Sequence, residues 1–244
     1  MTTFLDRYQQ GEYESVWTDM LRYGVNIRQE PLLSDALSVV YETFVRAREN
    51  LDRIMLRLRS IQYNFEYPEH AFVPAQVNAH DHIYELERLA GALPISLRVW
   101  YETVGSVCFI GTHPQLSFYA NGPFDAPPTI YSDPLVVEPL EAALAEYILQ
   151  FPDDVSREDA ETFYFPVAPD MYHKANVSGG ASYEIAIPNI SIDALLLNEA
   201  HHTTFVNYLR TCFHWGGFPG FEQYPEHQRP TELLAFLAHD LLPI

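Results

Sequence analysis

Residues 80–110 read His80-Asp81-His82-Ile83-Tyr84-Glu85-Leu86-Glu87-Arg88-Leu89-Ala90-Gly91-Ala92-Leu93-Pro94-Ile95-Ser96-Leu97-Arg98-Val99-Trp100-Tyr101-Glu102-Thr103-Val104-Gly105-Ser106-Val107-Cys108-Phe109-Ile110. Apolar residues at helical spacing predict a helix at about 80–90 and a second at about 94–104. The second is entered through Leu93-Pro94, with proline in the first turn, where its missing N–H costs no hydrogen bond. Ser-Val-Cys-Phe-Ile over 106–110 is then a compact buried strand.

Upstream lie two more stretches of helical spacing. Residues 4–23 carry Phe4, Tyr8, Val16, Trp17 and Met20. Beyond the breaker at Pro31, Ser34 is placed to cap a longer helix whose apolar residues, from Leu37 and Tyr41 through Phe44, Leu51, Met55 and Leu58, alternate threes and fours. The two are expected to fold back as an antiparallel hairpin. Tyr63, Phe65 and Tyr67 alternate as a short strand before Pro68 and Pro74. Downstream, prolines and glycines over 111–134 predict a long surface loop. Strands are expected at 134–138, 161–168 and 182–187, with 190–197 continuing the sheet, and helices at 140–149, 202–214 and 231–242. Helices first, strands in the middle and helices last imply an α+β fold, with a mainly antiparallel sheet flanked by helices rather than alternating βαβ units. The expected organisation is an N-terminal helical extension over 1–60 and an α+β domain over 61–244.

The charge limits the partners. Asp and Glu total 33 against 14 Lys and Arg, a net of −19, and Lys174 is the only lysine. Such a field repels nucleic acid and anionic membrane and speeds encounter with basic partners. Hydrophobic residues at 48% supply a sizeable core. No apolar run reaches bilayer length and no basic, apolar leader opens the sequence, so a cytoplasmic protein is expected. Cys108 and Cys212, 104 positions apart in apolar surroundings, read as reduced core thiols. The basic island Arg46, Arg48, Arg53, Arg57 and Arg59 is expected to contact the acidic remainder of the chain rather than nucleic acid.

Several clusters invite a chemical reading. His80-Asp81-His82 would suit a metal on a strand, but on a helix residues two apart diverge by about 200°, and Asp81 is better placed as an N-cap. His201-His202 reads the same way, at the start of a helix. The 177–182 stretch, Val-Ser-Gly-Gly-Ala-Ser, lacks the frame of a phosphate loop or nucleophile elbow and reads as a turn between strands. Neither a catalytic set, a metal site nor a cofactor is expected. Residues 138–161 hold eight carboxylates against one base, Arg157. Glu138, Asp153, Asp154, Glu158 and Asp159 are therefore candidates for docking a basic partner, against the plainer reading of a solvated acidic face. The run 214–221, His-Trp-Gly-Gly-Phe-Pro-Gly-Phe, makes Trp215, Phe218 and Phe221 further candidates for partner contact, unless the loop wraps onto the core.

The run 83–105 resembles the opening of the SUKH superfamily, which includes bacterial toxin-immunity proteins and a fungal regulator of cell-wall synthesis. Glu87, Leu89, Gly91, Leu93, Pro94, Leu97, Tyr101 and Gly105 match the family pattern, while Val104 stands where asparagine is usual. The resemblance implies a non-enzymatic α+β domain that binds and occludes a protein partner, often a toxin domain. The acidity suggests a basic one. The alternatives are a metal-dependent or carboxylate hydrolase, and an oligomerising subunit that forms a homodimer through the striped helix at 34–58.

Overall fold

Gly11 divides what the spacing reads as one opening helix. At φ +97° it takes a backbone conformation that L side chains resist, so 4–23 forms α1 (Phe4–Gln9) and α2 (Tyr13–Arg22). These elements come from a computed structural model that describes residues 2–122, 125, 128–151 and 162–244. Thr3 and Asp6 cap α1 reciprocally. The long helix α3 (Leu32–Ser60) starts ahead of its expected cap: Ser34 lies in the first turn and donates its hydroxyl to the Glu30 carboxylate.

The stripe of α3 is spent inside the chain. Phe44, Leu51 and Leu58 are buried, and Phe44 meets Trp100 edge to face at 5.6 Å. Tyr41, Val45 and Leu56 of the same helix stay exposed, on a face away from this core. The arginine island correspondingly departs from expectation. Arg46 and Arg53 pair with Glu42 and Glu49 one turn back on α3, Arg46 donates to the Tyr13 hydroxyl at 3.0 Å, and the island also reaches backbone carbonyls. Arg57 donates to Leu237 O at 2.8 Å, Arg46 to Pro243 O at 3.4 Å and Arg53 to Asp240 O. These carbonyls belong to the end of α8 (Thr231–Ala238) and the tail beyond it. The last carbonyls of a helix have no partner within it and carry its negative end, so guanidinium groups satisfy them.

The remaining elements are β1 (Asn64–Phe65), β2 (Phe72–Pro74), α4 (Ala79–Ala90), α5 (Ile95–Thr103), β3 (Gly105–Cys108), β4 (Gly111–Thr112), β5 (Val136–Val137), α6 (Leu140–Gln150), β6 (Phe163–Ala168), β7 (Tyr183–Ile187) and α7 (Phe205–His214). The fold is α+β, and its strand pairs are antiparallel. β3 lies between β2 and β5, β6 pairs with β7, and β1 pairs with β4. The Glu138 N–H donates to Val167 O at 2.8 Å, joining the end of β5 to β6.

Three further expectations need correction. Residues 190–197 form no strand: Leu197 bridges Glu184 and Leu195 bridges Thr204, one residue each. The final helix stops at Ala238 rather than 242. The 111–134 segment is not wholly a surface loop, because Leu116, Ala120, Ser132 and Asp133 are buried. Asp133 goes inside to meet Lys174, whose Nζ lies 2.6 Å from Oδ1; their side chains are 4% and 0% exposed. The Tyr183 hydroxyl donates to Asp133 Oδ2 at 3.0 Å, and its ring faces the ammonium at 4.7 Å.

The residues of the 83–105 pattern hold the corner between α4, α5 and β3. Glu87 accepts from the Leu93 N–H at 3.2 Å and from Arg98 at 3.1 Å. Leu93 and Leu97 are buried, and the Tyr101 hydroxyl donates to Glu138 O at 2.8 Å. Among the described residues no helix is long and apolar enough to cross a membrane.

Candidate functional site

A cleft of about 880 Å³ opens over the three-stranded sheet β2–β3–β5. Strand alternation builds its floor: Gly105 and Val107 of β3 are buried, while Ser106 and Cys108 are part-exposed and line the cleft. Val73 extends that floor along β2, and Glu138 and Glu141 stand where β5 runs into α6. One wall is α4 with His82, another the Tyr67–His70 turn with Tyr119, and a third the segment carrying His173 and Asn176. The volume suits a small molecule or a few side chains of a partner.

The titratable groups of the cleft fall into two kinds. Some are already committed. The Asn78 amide donates to His82 Nε2 at 3.2 Å, so that nitrogen accepts and the ring proton sits on Nδ1, 3.0 Å from Glu141. His82 thus ties α4 to α6. His173 gives Nδ1 to Asp170, whose carboxylate also accepts from the Tyr172 N–H at 2.8 Å. Burial pushes the Asp170 carboxyl up, but the His173 ring and the backbone N–H groups outweigh it and hold it below the usual range. The Tyr67 and Tyr119 hydroxyls are 3.2 Å apart, and this hydrogen bond, with burial, pushes Tyr119 up to about 12. Burial pushes the Cys108 thiol up to about 11, so it is protonated and a poor nucleophile at neutral pH.

Glu138 is of the other kind. Burial raises its pKa, opposed by the charges of Lys174 and His70. Among the described residues no donor hydrogen-bonds its carboxylate.

The other candidates from the sequence are scattered. Asp153, Asp154, Glu158 and Asp159 lie outside the described residues. Phe218 and Phe221 are 0% and 1% exposed and offer no surface to a partner. Gly217 N–H caps α7 on Cys212 O at 2.7 Å, and the chain then turns inward so that Phe218 packs on Tyr63 at 5.7 Å. Trp215 is half-buried, bonded to Glu222 at 3.3 Å and covered by Arg229 at 4.9 Å. His80 and His82 diverge as helix geometry requires, His80 toward Glu102 and His82 toward Glu141. Asp81 lies within the first turn of α4, and the cap position is Asn78. Among the described residues no three His, Cys, Asp or Glu side chains converge as a metal site.

His201 does not serve as a cap. Its Nδ1 meets the buried Glu199 and its Nε2 lies 2.8 Å from Glu222. Two acceptors on one ring require both nitrogens to be protonated. Burial lowers the pKa of this imidazole, but the two carboxylates outweigh that and raise it above 6.5. A raised histidine contributes its full stability below the unfolded value and loses it as pH rises through the folded one. The denaturation midpoint is therefore expected to fall as pH is raised from about 6.5, and His201→Ala to flatten that slope. An identical slope in the variant would assign the pH dependence to another group.

No protein-family model matches the chain, and comparisons with curated proteins and with solved structures likewise find no match.

Proposed function

We propose that the chain is a protein-binding module that acts by occupying a basic partner rather than by chemistry of its own, as an immunity protein occludes a toxin domain. The observation that carries this reading is the disposition of charge. Arg7 and Arg98 are paired with acids, Arg28, Arg57 and Arg210 with backbone carbonyls, and Lys174 is sealed in with Asp133. With those cations neutralised or capping carbonyls, a net of −19 leaves a carboxylate-dominated exterior, and Glu69, Glu138 and Glu141 concentrate it at the cleft. Low-dielectric walls focus such a field and draw in positive charge.

The test is to capture partners on the immobilised chain, purify the binary complex and measure its affinity at two salt concentrations. The expected result is a single stoichiometric basic protein whose affinity falls as salt rises. Equal affinity at both salts, or no partner at either, would overturn the reading.

A further inference from the structure

Within the cleft, Glu138 sets the chemistry of the occupant. The Glu138 side chain is part-buried in the cleft and its carboxylate accepts from no donor among the described residues, so a cation entering the cleft would gain a charge-assisted hydrogen bond there. No cation of the chain pairs with that carboxylate directly: the Lys174 ammonium is held 2.6 Å from Asp133, His82, bonded at both ring nitrogens, serves Glu141, and His70 lies in the cleft lining without a hydrogen bond to Glu138. The rest of the cleft is shaped for a long side chain with a flat, charged end. Val73 and Cys108 offer an apolar floor on the open face of the sheet, while Tyr67 and Tyr119 present aromatic rings. A guanidinium is more weakly hydrated than an ammonium and stacks on aromatic rings, so it is the cation that loses least on entering such a place.

We infer that the cleft takes an arginine side chain of the partner, with its guanidinium on Glu138 and its stem along the floor formed by Val73 and Cys108. This rests on the reading of a module for a basic partner and specifies its central contact.

The test uses the full chain, titrated by NMR with the blocked peptide Gly-Ala-Arg-Ala-Gly and with counterparts carrying lysine or the neutral isostere citrulline. The arginine peptide is expected to shift the amides of Val73, Cys108 and Glu138 saturably. Citrulline should bind about tenfold more weakly, and Glu138→Gln should reduce arginine binding to the citrulline level. The variant should melt no lower than the parent, because it removes a desolvated charge; a lower midpoint would make Glu138 a structural group and overturn the inference. Lysine binding as well as arginine, or citrulline binding equally, would overturn it too. If the capture yields a basic, salt-sensitive partner while Glu138→Gln leaves the peptide titration unchanged, the inference falls and the docking reading stands. If the capture fails although the arginine peptide fills the cleft, the converse holds.

Discussion

Replacing Asp133 with alanine is expected to lower the free energy of unfolding by ~3–5 kcal/mol, the cost of removing one partner from a buried ion pair. The Lys174 side chain is fully buried, and its ammonium is held 2.6 Å from the carboxylate that the substitution deletes. The Tyr183 ring at 4.7 Å would remain as a weak substitute, and the Tyr183 hydroxyl would lose its acceptor. Most of the loss is thus the penalty of an uncompensated charge rather than the worth of the pair. That distinction has its own test. Asp133→Leu combined with Lys174→Met removes both charges at similar volume, and should recover most of the stability that the single change loses. Denaturant midpoints read at constant slope decide it. A loss below about 1 kcal/mol for Asp133→Ala would mean that the ammonium reaches water or another acceptor.

Gly105→Ala is the second large effect, expected at ~2–5 kcal/mol from the left-handed conformation together with overpacking. Gly105 opens β3 at φ +102°, where a Cβ would lie 2.2 Å from Val73 O, 2.6 Å from Ala75 N and 2.7 Å from Pro74 C. All three are backbone atoms of β2 or the residue after it, so no rotamer change relieves the clash. The floor of the cleft depends on this contact, because Pro74 pairs with Gly105 in register. Gly180→Ala is the control: nothing lies within 4 Å of its Cβ position, and its melting temperature should stay near that of the parent. If both variants melt alike, the β2–β3 pairing does not constrain this corner.

Local pattern accounts for much of the fold. The 80–110 stretch placed α4, α5 and β3 to within a few residues of their observed limits, because amphipathic spacing and the Leu93-Pro94 step are written in adjacent residues. The stripe of α3 was equally plain. Misplacements came where a long-range partner overrode local preference. Residues 190–197 alternate like a strand, yet only single bridges form. The 111–134 segment has the composition of a surface loop, yet Asp133 is drawn inside by a lysine 41 positions away.

The candidate site was the least legible feature. In the sequence Glu138 is one acid among eight, and nothing local marks it as lining a cleft. Cys108, Tyr119 and His173 come from separate segments and carry no shared motif. The aromatic run 214–221 was ambiguous between surface and core, because hydrophobicity does not say which way a turn sends its side chains.

The sequence by itself therefore determined most of the element types, the α+β class, the acidity and the absence of a surplus of cations, since each depends on residue identity or on spacing within one segment. Only the tertiary structure decided which charges are neutralised, which aromatics are buried and which carboxylate is left facing a cavity. Those outcomes depend on distances of a few ångströms between residues far apart in the chain, and no local rule contains them.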